Sequence, residues 1–245
     1  MNTFKVATYN IHKGVQGLGP ARRLEIHNLG HAVEQFDADV ICLQEVRAFN
    51  HQQARRFRNW PDQGQADFLA PEGYTSVYCT NAITKHGEHG NALLSRWPVL
   101  RHCHEDISDH RLEQRGLLHV TLQMQARDVH IVVTHLGLLH GSRIRQTQQL
   151  HDFIARDVPS DAPLIVAGDF NDWGNSVSRM MAEVGLRTDE DKVHATYPSR
   201  LPLVQLDHIY ARGLHRVCTH TPRGPIWGRM SDHLPLLVEF AWNTP

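Results

Sequence analysis

Residues 164–171 read L-I-V-A-G-D-F-N. The four apolar residues at the start of this stretch predict a short buried strand, and the polar side chains of Asp169 and Asn171 follow it directly. Glycine, aspartate and asparagine also favour turns, so the stretch by itself is compatible with an Asx-turn as well as with a catalytic strand end.

The same arrangement recurs along the chain. Asn10, Glu45 and His135 each follow an apolar run, Asp207 begins one, and residues 231–233 (S-D-H) precede the last one. Each residue alone also fits a turn, a solvated strand end or a core histidine. Because the ends of neighbouring strands meet at one edge of a sheet, their joint occurrence predicts one oxygen-rich site with a few nitrogen donors.

Such a site suits Mg²⁺, which prefers oxygen ligands and keeps several of its waters. A bound ion of this kind neutralises a phosphoryl oxygen and helps to position an attacking water. Enzymatic phosphate hydrolysis depends mainly on positioning and charge stabilisation. The pattern therefore predicts a Mg²⁺-dependent hydrolase of phosphate esters, with Mn²⁺ as an alternative ion.

The bulk properties indicate an ordinary globular protein. The chain has 245 residues, of which 41% are hydrophobic and 21% charged, and we expect one domain over residues 1–245. The formal net charge of −1 gives no support to a protein that binds by neutralising many nucleic-acid phosphates, although it leaves a local basic patch open.

Cysteine usage and the N-terminal sequence predict the compartment. The four cysteines are far apart without any C-x-x-C pair, which disfavours a zinc ribbon or a disulfide framework. The first residues do not resemble a signal peptide, and no apolar run is long enough for a membrane span. We expect a cytoplasmic protein, as a monomer.

Periodicity predicts a mixed β-sheet protein with helices packed outside, without specifying its topology. The predicted strands are Phe4–Tyr9, Val40–Leu43, Tyr74–Cys79, Ala92–Leu94, Leu117–Met124, Val129–Thr134, Pro163–Ala167, Leu206–Ala211, His215–Thr221 and Leu236–Phe240. The predicted helices are Arg22–Phe36, Ser142–Asp157 and Ser176–Val184, with Arg47–Trp60 as helix or surface loop.

Taken together, these motifs resemble the endonuclease/exonuclease/phosphatase superfamily, to which DNase I belongs. The matching segments are residues 8–10, 43–45, 90–96, 134–136, 168–171, 206–209 and 231–236. The stretches N-I-H-K-G at 10–14 and G-N-A-L-L-S-R at 90–96 are most similar to a bacterial branch. The resemblance implies an α/β (α+β) fold, a four-layer α/β/β/α sandwich in which two mixed β-sheets pack face to face between outer helices.

The resemblance also implies how the metal and the water are held. Glu45 would be the main Mg²⁺ ligand with Asn10 beside it, and Asp232 would support a metal directly or through water. Asp169 would orient or deprotonate the attacking water with help from Asn171.

Two histidines and a further carboxylate complete the implied site. His233 would contact the scissile phosphate, and Asp207 would hold His233 in the right tautomer and orientation. His135 would face the phosphate or the leaving oxygen. Whether Asp169 or His233 is the base stays open from the sequence.

Other residues have weaker signals. Asn91 and Arg115 fit substrate contacts as well as structural roles, and Trp173 and Trp227 fit an apolar rim beside the phosphate as well as core packing. The Arg22-Arg23 doublet fits contact with a polyanionic substrate but is more typical of a solvated face. The substrate could equally be a nucleic acid, a phospholipid or a phosphorylated metabolite, and monoester and diester chemistry both remain open.

Two motif-like stretches are interpreted as coincidental. Residues 102–106 (H-C-H-E-D) lack the final histidine of the H-x-H-x-D-H metal motif and fall in a predicted edge strand, and residues 108–110 repeat S-D-H without the Leu-Pro that follows residues 231–233. The rival function is a catalytically silent binding or adaptor domain on the same fold. Such domains usually lack at least one of the site positions, all of which are present here.

Overall fold

The computed structural model describes residues 3–125, 127–189 and 192–242. The strands, in chain order, are β1 (Thr3–Asn10), β2 (Val15–Gln16), β3 (Arg23–Leu24), β4 (Val40–Val46), β5 (Thr75–Thr84), β6 (Gly87–Ser95), β7 (Val99–Asp106), β8 (Gly116–Met124), β9 (Arg127–His135), β10 (Leu164–Asp169), β11 (Asp207–Arg212), β12 (Leu214–His220) and β13 (Leu236–Trp242). The α-helices are α1 (Ile26–Phe36), α2 (His51–Arg56), α3 (Gln65–Leu69), α4 (His140–Asp157), α5 (Ser176–Glu183) and α6 (Trp227–Met230).

Two large mixed sheets organise the chain. The first has the strand order β12-β13-β1-β4-β6-β5, and the second has the order β11-β10-β9-β8-β7. In each sheet one central pair is parallel, namely β1 with β4 and β9 with β10. The polar residues predicted for the site therefore lie at or directly after the carboxyl ends of these four strands.

The two sheets pack against each other through their apolar faces. Val6 and Val238 of the first sheet share a buried cluster with Val120, Ile131 and Ile165 of the second. Alternate residues along these strands point to opposite sides, so each sheet has a second apolar face that needs its own cover.

Helices cover both outer faces. On the first sheet, Leu29 and Val33 of α1 pack on Ile41 and Leu43 of β4. On the second, α4 and α5 share a buried cluster with the outward side chains of β9 and β10. The predicted four-layer α/β/β/α sandwich is confirmed. Within the described residues, no helix combines the length and apolar character that crossing a membrane requires.

The structure departs from the predicted elements at the start of the first helix. The sequence pattern predicts helix from Arg22, but α1 begins at Ile26, because Arg23 and Leu24 pair with Gln16 and Val15 in a small hairpin. The predicted edge strand around residues 102–106 is confirmed as β7, at the edge of the second sheet.

Gly168 permits the close approach of β9 and β10. Its φ of 155° is unusual for other residues, and a Cβ built on it would lie 1.9 Å from the carbonyl oxygen of Thr134. Since Thr134 is its partner in the strand pairing, any side chain there would push the two strands apart next to Asp169.

Replacing Gly168 by alanine should lower the free energy of unfolding by at least about 2 kcal/mol, because the clash is with backbone and not with a flexible side chain. Denaturant unfolding followed by circular dichroism measures this. Gly174→Ala is the matched control, since nothing lies within 4 Å of a Cβ built there. Equal stability of both variants would contradict the steric argument.

Candidate active site

The strand ends of the two sheets meet at one end of the sandwich. Asn10 ends β1 opposite Gln44 of β4, and Asp169 ends β10 opposite His135 of β9. The Asn10 amide Nδ2 donates a hydrogen bond of 3.0 Å to Asp169 Oδ2. One hydrogen bond thus joins the two sheets at the point where the sequence predicts a site.

Asp169 is the centre of this arrangement and is only 1% exposed. Its Oδ1 accepts the backbone N–H of Asn171 at 3.0 Å, and its Oδ2 lies 3.5 Å from Nε2 of both His135 and His233. Burial raises the pKa of Asp169 above its usual range, against the opposing charge of His233. A carboxylate with a raised pKa is suited to accept a proton near neutral pH.

His233 is held by a second buried carboxylate. Its Nδ1 lies 2.8 Å from Asp207 Oδ2, and Asp207 is fully buried. Burial would lower the pKa of His233, but the charges of Asp207 and Asp169 outweigh it and raise the pKa to about 10. The ring is therefore an imidazolium at neutral pH, with Nε2 facing Asp169.

His135 faces the same oxygen in the opposite charge state. Burial and the neighbouring Arg115 lower the pKa of His135 to about 3, although Asp169 and Glu45 act the other way. The two imidazoles are equally distant from Asp169. They differ because Asp207 lies against the other ring nitrogen of His233, whereas among the described residues no carboxylate lies within 4.0 Å of the other ring nitrogen of His135.

Glu45 lies on the other side of Asn10. It occupies a bulge of β4, where the pairing with β6 shifts between Leu43 and Val46, and its φ of 57° is in the left-handed region. Such a conformation costs roughly 1–3 kcal/mol in a residue other than glycine and is typical of functional sites. The bulge places the carboxylate in contact with the Lys13 ammonium and 3.4 Å from Asn10 Nδ2.

The electrostatics of Glu45 keep it ionised. Burial alone would raise its pKa, but the charge and the hydrogen bond of Lys13 hold the pKa of Glu45 far below its usual range. An ionised, nearly buried carboxylate is a hard oxygen donor of the kind that Mg²⁺ prefers. Asp169, Asp207 and His233 present further ligand atoms that lie within 4.8 Å of one another. The donor chemistry of these residues therefore fits a magnesium ion.

Residues 231–233 attach the His233 loop to the first sheet. Ser231 Oγ donates a hydrogen bond of 2.6 Å to the carbonyl oxygen of Asn10 and accepts the backbone N–H of His233 at 3.3 Å. Asp232 Oδ1 lies 3.2 Å from His12 Nδ1, and contact with His12 keeps the pKa of Asp232 low despite its burial. Asp232 is thus at the border of the site, paired with a histidine.

Two weaker candidates lie next to the second sheet. Asn91 is fully buried, and its Nδ2 donates to the carbonyl oxygens of Gly116 at 3.0 Å and Val133 at 3.2 Å, so it ties the two sheets together. Arg115 lies close enough to His135 to lower its pKa, and it pairs with Glu113 at 3.1 Å.

The two tryptophans have different surroundings. Trp173 is 54% exposed and packs edge-on against Tyr197, whose ring in turn lies 5.0 Å from the His233 ring. Trp227 stacks on Phe36 of α1, with 5.9 Å between ring centroids, and packs with the helical layer of the first sheet. Only Trp173 is connected to the site through these ring contacts.

The site also contains residues that the sequence reasoning did not select. Lys13 contacts Glu45, His12 pairs with Asp232, and Tyr197 packs on His233. The available signal for the first two was their position in the N-I-H-K-G stretch directly after β1. Tyr197 lies in a long connection between α5 and β11, where nothing in the local sequence marks it.

Comparison with known proteins decides the family. The model of the Endonuclease/Exonuclease/phosphatase family matches residues 7–233. The chain belongs to this family. Its members hydrolyse phosphoester bonds, and the buried carboxylate–histidine site lies inside the matched region. The "Uncharacterized protein YbhP" of Escherichia coli K12 is 34% identical over 245 residues, which cover 97% of this chain and 96% of that protein.

Solved structures share the fold. A family protein from Beutenbergia cavernae superimposes with a TM-score of 0.75 at 20% identity, over 99% of this chain and 72% of its own. The human Nocturnin catalytic domain with bound sulfate has a TM-score of 0.75 at 21% identity, over 98% and 94%. A mannosyl-6-phosphatase from Bacteroides thetaiotaomicron has a TM-score of 0.72 at 17% identity, over 98% and 100%.

The opposite charge states of the two histidines should be visible in the pH dependence of stability. The raised pKa of His233 stabilises the fold fully below pH 6.5, and this contribution is lost as pH rises towards about 10. The lowered pKa of His135 stabilises the fold fully above pH 6.5, and this contribution is lost as pH falls towards about 3.

Denaturant unfolding of the metal-free protein between pH 4 and pH 10 measures both effects. We expect His233→Gln to flatten the alkaline side of the stability profile and His135→Gln to flatten the acidic side. If the two variants change the same side, the assignment of charge states is wrong.

Proposed function

We propose that the protein is a Mg²⁺-dependent phosphodiesterase that cleaves a P–O bond by attack of water. The observation that carries this proposal is a set of buried residues in contact, in which His233 lies between Asp207 and Asp169. Asn10 contacts both Asp169 and Glu45, and so connects this set to Glu45. Buried charges are costly unless they are paired or used, and this arrangement buries several of them at one end of the sandwich. The presence of every member supports an enzyme over a silent binding domain.

Glu45, with Asn10 beside it, would hold the ion. When bound there, Mg²⁺ neutralises a phosphoryl oxygen and favours attack on phosphorus. The Lys13 ammonium, which contacts Glu45 in this structure, would then be available to the phosphate.

Asp169 and His233 would divide the remaining chemistry. Asp169 has a raised pKa and is oriented by Asn10 and by the backbone of Asn171, so it would accept the proton of the attacking water. His233 is already protonated, which makes it a poor base and a good donor to a phosphoryl oxygen as negative charge grows in the transition state. Asp207 fixes the ring so that Nε2 faces the reacting group.

Neutral His135 would donate or accept a hydrogen bond without adding charge beside Asp169. The exposed face of Trp173 and the ring of Tyr197 lie beside His233, so the organic part of the substrate would rest on that side of the phosphate.

Replacing either charged group should abolish turnover. We expect Glu45→Gln and His233→Ala each to lower kcat/KM on bis-(p-nitrophenyl) phosphate by about 10³-fold, because each removes charge stabilisation of the transition state. Chelation with EDTA should abolish activity, and Mg²⁺ or Mn²⁺ should restore it.

The control variants carry the same substitutions in β7, at the edge of the second sheet. Glu105→Gln and His102→Ala make the same changes in the segment whose metal-like motif is interpreted as coincidental, and they should keep the parent activity. Parent-like turnover by Glu45→Gln and His233→Ala would refute the site, and activity that survives EDTA would refute the role of the metal.

A further inference from the structure

Four large aliphatic side chains are exposed around the loop of residues 107–115, which joins β7 to β8. Leu112 is 97% exposed, Ile83 75%, Leu138 63% and Leu139 61%. Single exposed apolar residues are normal on a protein surface, but several of them beside one loop mark an interaction site. These four residues are called the apolar tip below.

Hydrogen bonds bring the members of the apolar tip together. The backbone N–H of Ile83 donates to Gln114 Oε1 at 3.1 Å, and the backbone N–H of Leu138 donates to Glu113 Oε1 at 3.0 Å. Leu112 directly precedes these two acceptors in the loop. The exposed side chains from three different segments therefore belong to one region of the surface.

Buried side chains of α4 fix the segment that carries Leu138. Gln146 is fully buried, and its Oε1 accepts the backbone N–H of Gly137 at 2.8 Å. Arg143, also buried, donates to the carbonyl oxygen of Gly137 at 3.3 Å and to that of Leu138. Since this segment comes directly after His135 at the end of β9, it presents its leucines beside the candidate active site. A backbone that is already fixed loses little conformational entropy when it docks.

The charges of the loop favour an anionic partner. Its two carboxylates are paired with arginines, Asp109 with Arg145 at 2.5 Å and Glu113 with Arg115 at 3.1 Å. Arg111 is exposed, and among the described residues no carboxylate oxygen lies within 4.0 Å of its guanidinium. The cation next to the most exposed leucine is therefore available to an anion.

This combination of side chains suits a lipid surface better than a protein partner. A protein interface needs a packed core of complementary shape, whereas the side chain of Leu112 protrudes almost completely from a loop. Aliphatic side chains that protrude in this way can enter the acyl region of a bilayer while a neighbouring cation stays with the headgroups. Anionic lipids attract such a cation.

We propose that the apolar tip docks the protein on a bilayer that contains anionic phospholipids, with Arg111 at the headgroup phosphates. Docking there brings the end of the sandwich that carries the candidate active site to the membrane surface. The inference goes beyond the proposed function and does not depend on it, because docking is measured without turnover.

Flotation of the full chain with unilamellar vesicles tests the proposal. Vesicles of phosphatidylcholine alone would be compared with vesicles of phosphatidylcholine mixed with phosphatidylglycerol. The parent should bind the mixed vesicles, and should bind them more tightly than the neutral ones. Leu112→Asp and Leu138→Asp should each weaken this binding by about tenfold or more, because the burial of one leucine in the acyl region is lost.

Two further variants separate the apolar contribution from the electrostatic one. Leu100→Asp is the matched control, because Leu100 is 48% exposed at the end of β7 that lies away from the loop, and this variant should bind as the parent does. Arg111→Gln should remove most of the preference for mixed over neutral vesicles. Thermal unfolding followed by circular dichroism should give Leu112→Asp the Tm of the parent, since the leucine is exposed in the free protein.

The proposal is overturned if the parent does not bind the mixed vesicles, or if both aspartate variants bind them as the parent does. Sedimentation velocity tests the alternative of a second copy of the chain: conversion of an oligomer into a monomer by Leu112→Asp would make the apolar tip a protein interface and refute docking on lipid. Vesicle binding that depends on Leu112 and Leu138, in a protein that hydrolyses no phosphate ester, would refute the proposed function and support the docking surface.

Discussion

The burial of Asp169 between the two sheets is the constraint on which the site depends. A carboxylate that is removed from water must be compensated, and here the partners come from β1, β9, the segment after β10 and the loop before β13. Because those partners belong to different sheets, the compensation exists only when the sandwich is assembled. Folding and the assembly of the site are therefore one event.

The pairing of Asp207 with His233 gives the two histidines beside Asp169 different charge states. His233 and His135 approach the same oxygen at the same distance, yet one is charged and the other neutral. The charge states differ because of the other neighbours of each ring: His233 has the buried carboxylate of Asp207, and His135 has Arg115 nearby. The two ends of the site also differ in their neighbours, since Lys13 contacts Glu45 and the ring of Tyr197 lies beside His233.

The sequence predicts the individual strands and helices well where they are defined by local periodicity. Helix α4 and strands β8 to β10 have boundaries close to the predicted ones, because α4 has apolar residues at helical spacing and the strands are short apolar runs buried on both faces. The prediction is less accurate where a partner distant in the chain decides the conformation. The start of α1 is displaced by the pairing of β2 with β3, and the short α3 was not predicted, although its Gln65 connects Arg47 to Lys13.

The sequence alone determined a mixed β-sheet protein with outer helices and the ordered set of polar strand ends, because a strand that is buried must be apolar and a polar residue at its end is then conspicuous. The four-layer arrangement came from the resemblance of its motifs to a known family. Only the tertiary structure decided which side chains touch. It places Lys13 on Glu45, Tyr197 on His233 and Trp227 on Phe36. Contacts of this kind, and the pKa values that follow from them, join residues far apart in the chain. They arise from the packing of sheets and loops, which no local pattern encodes.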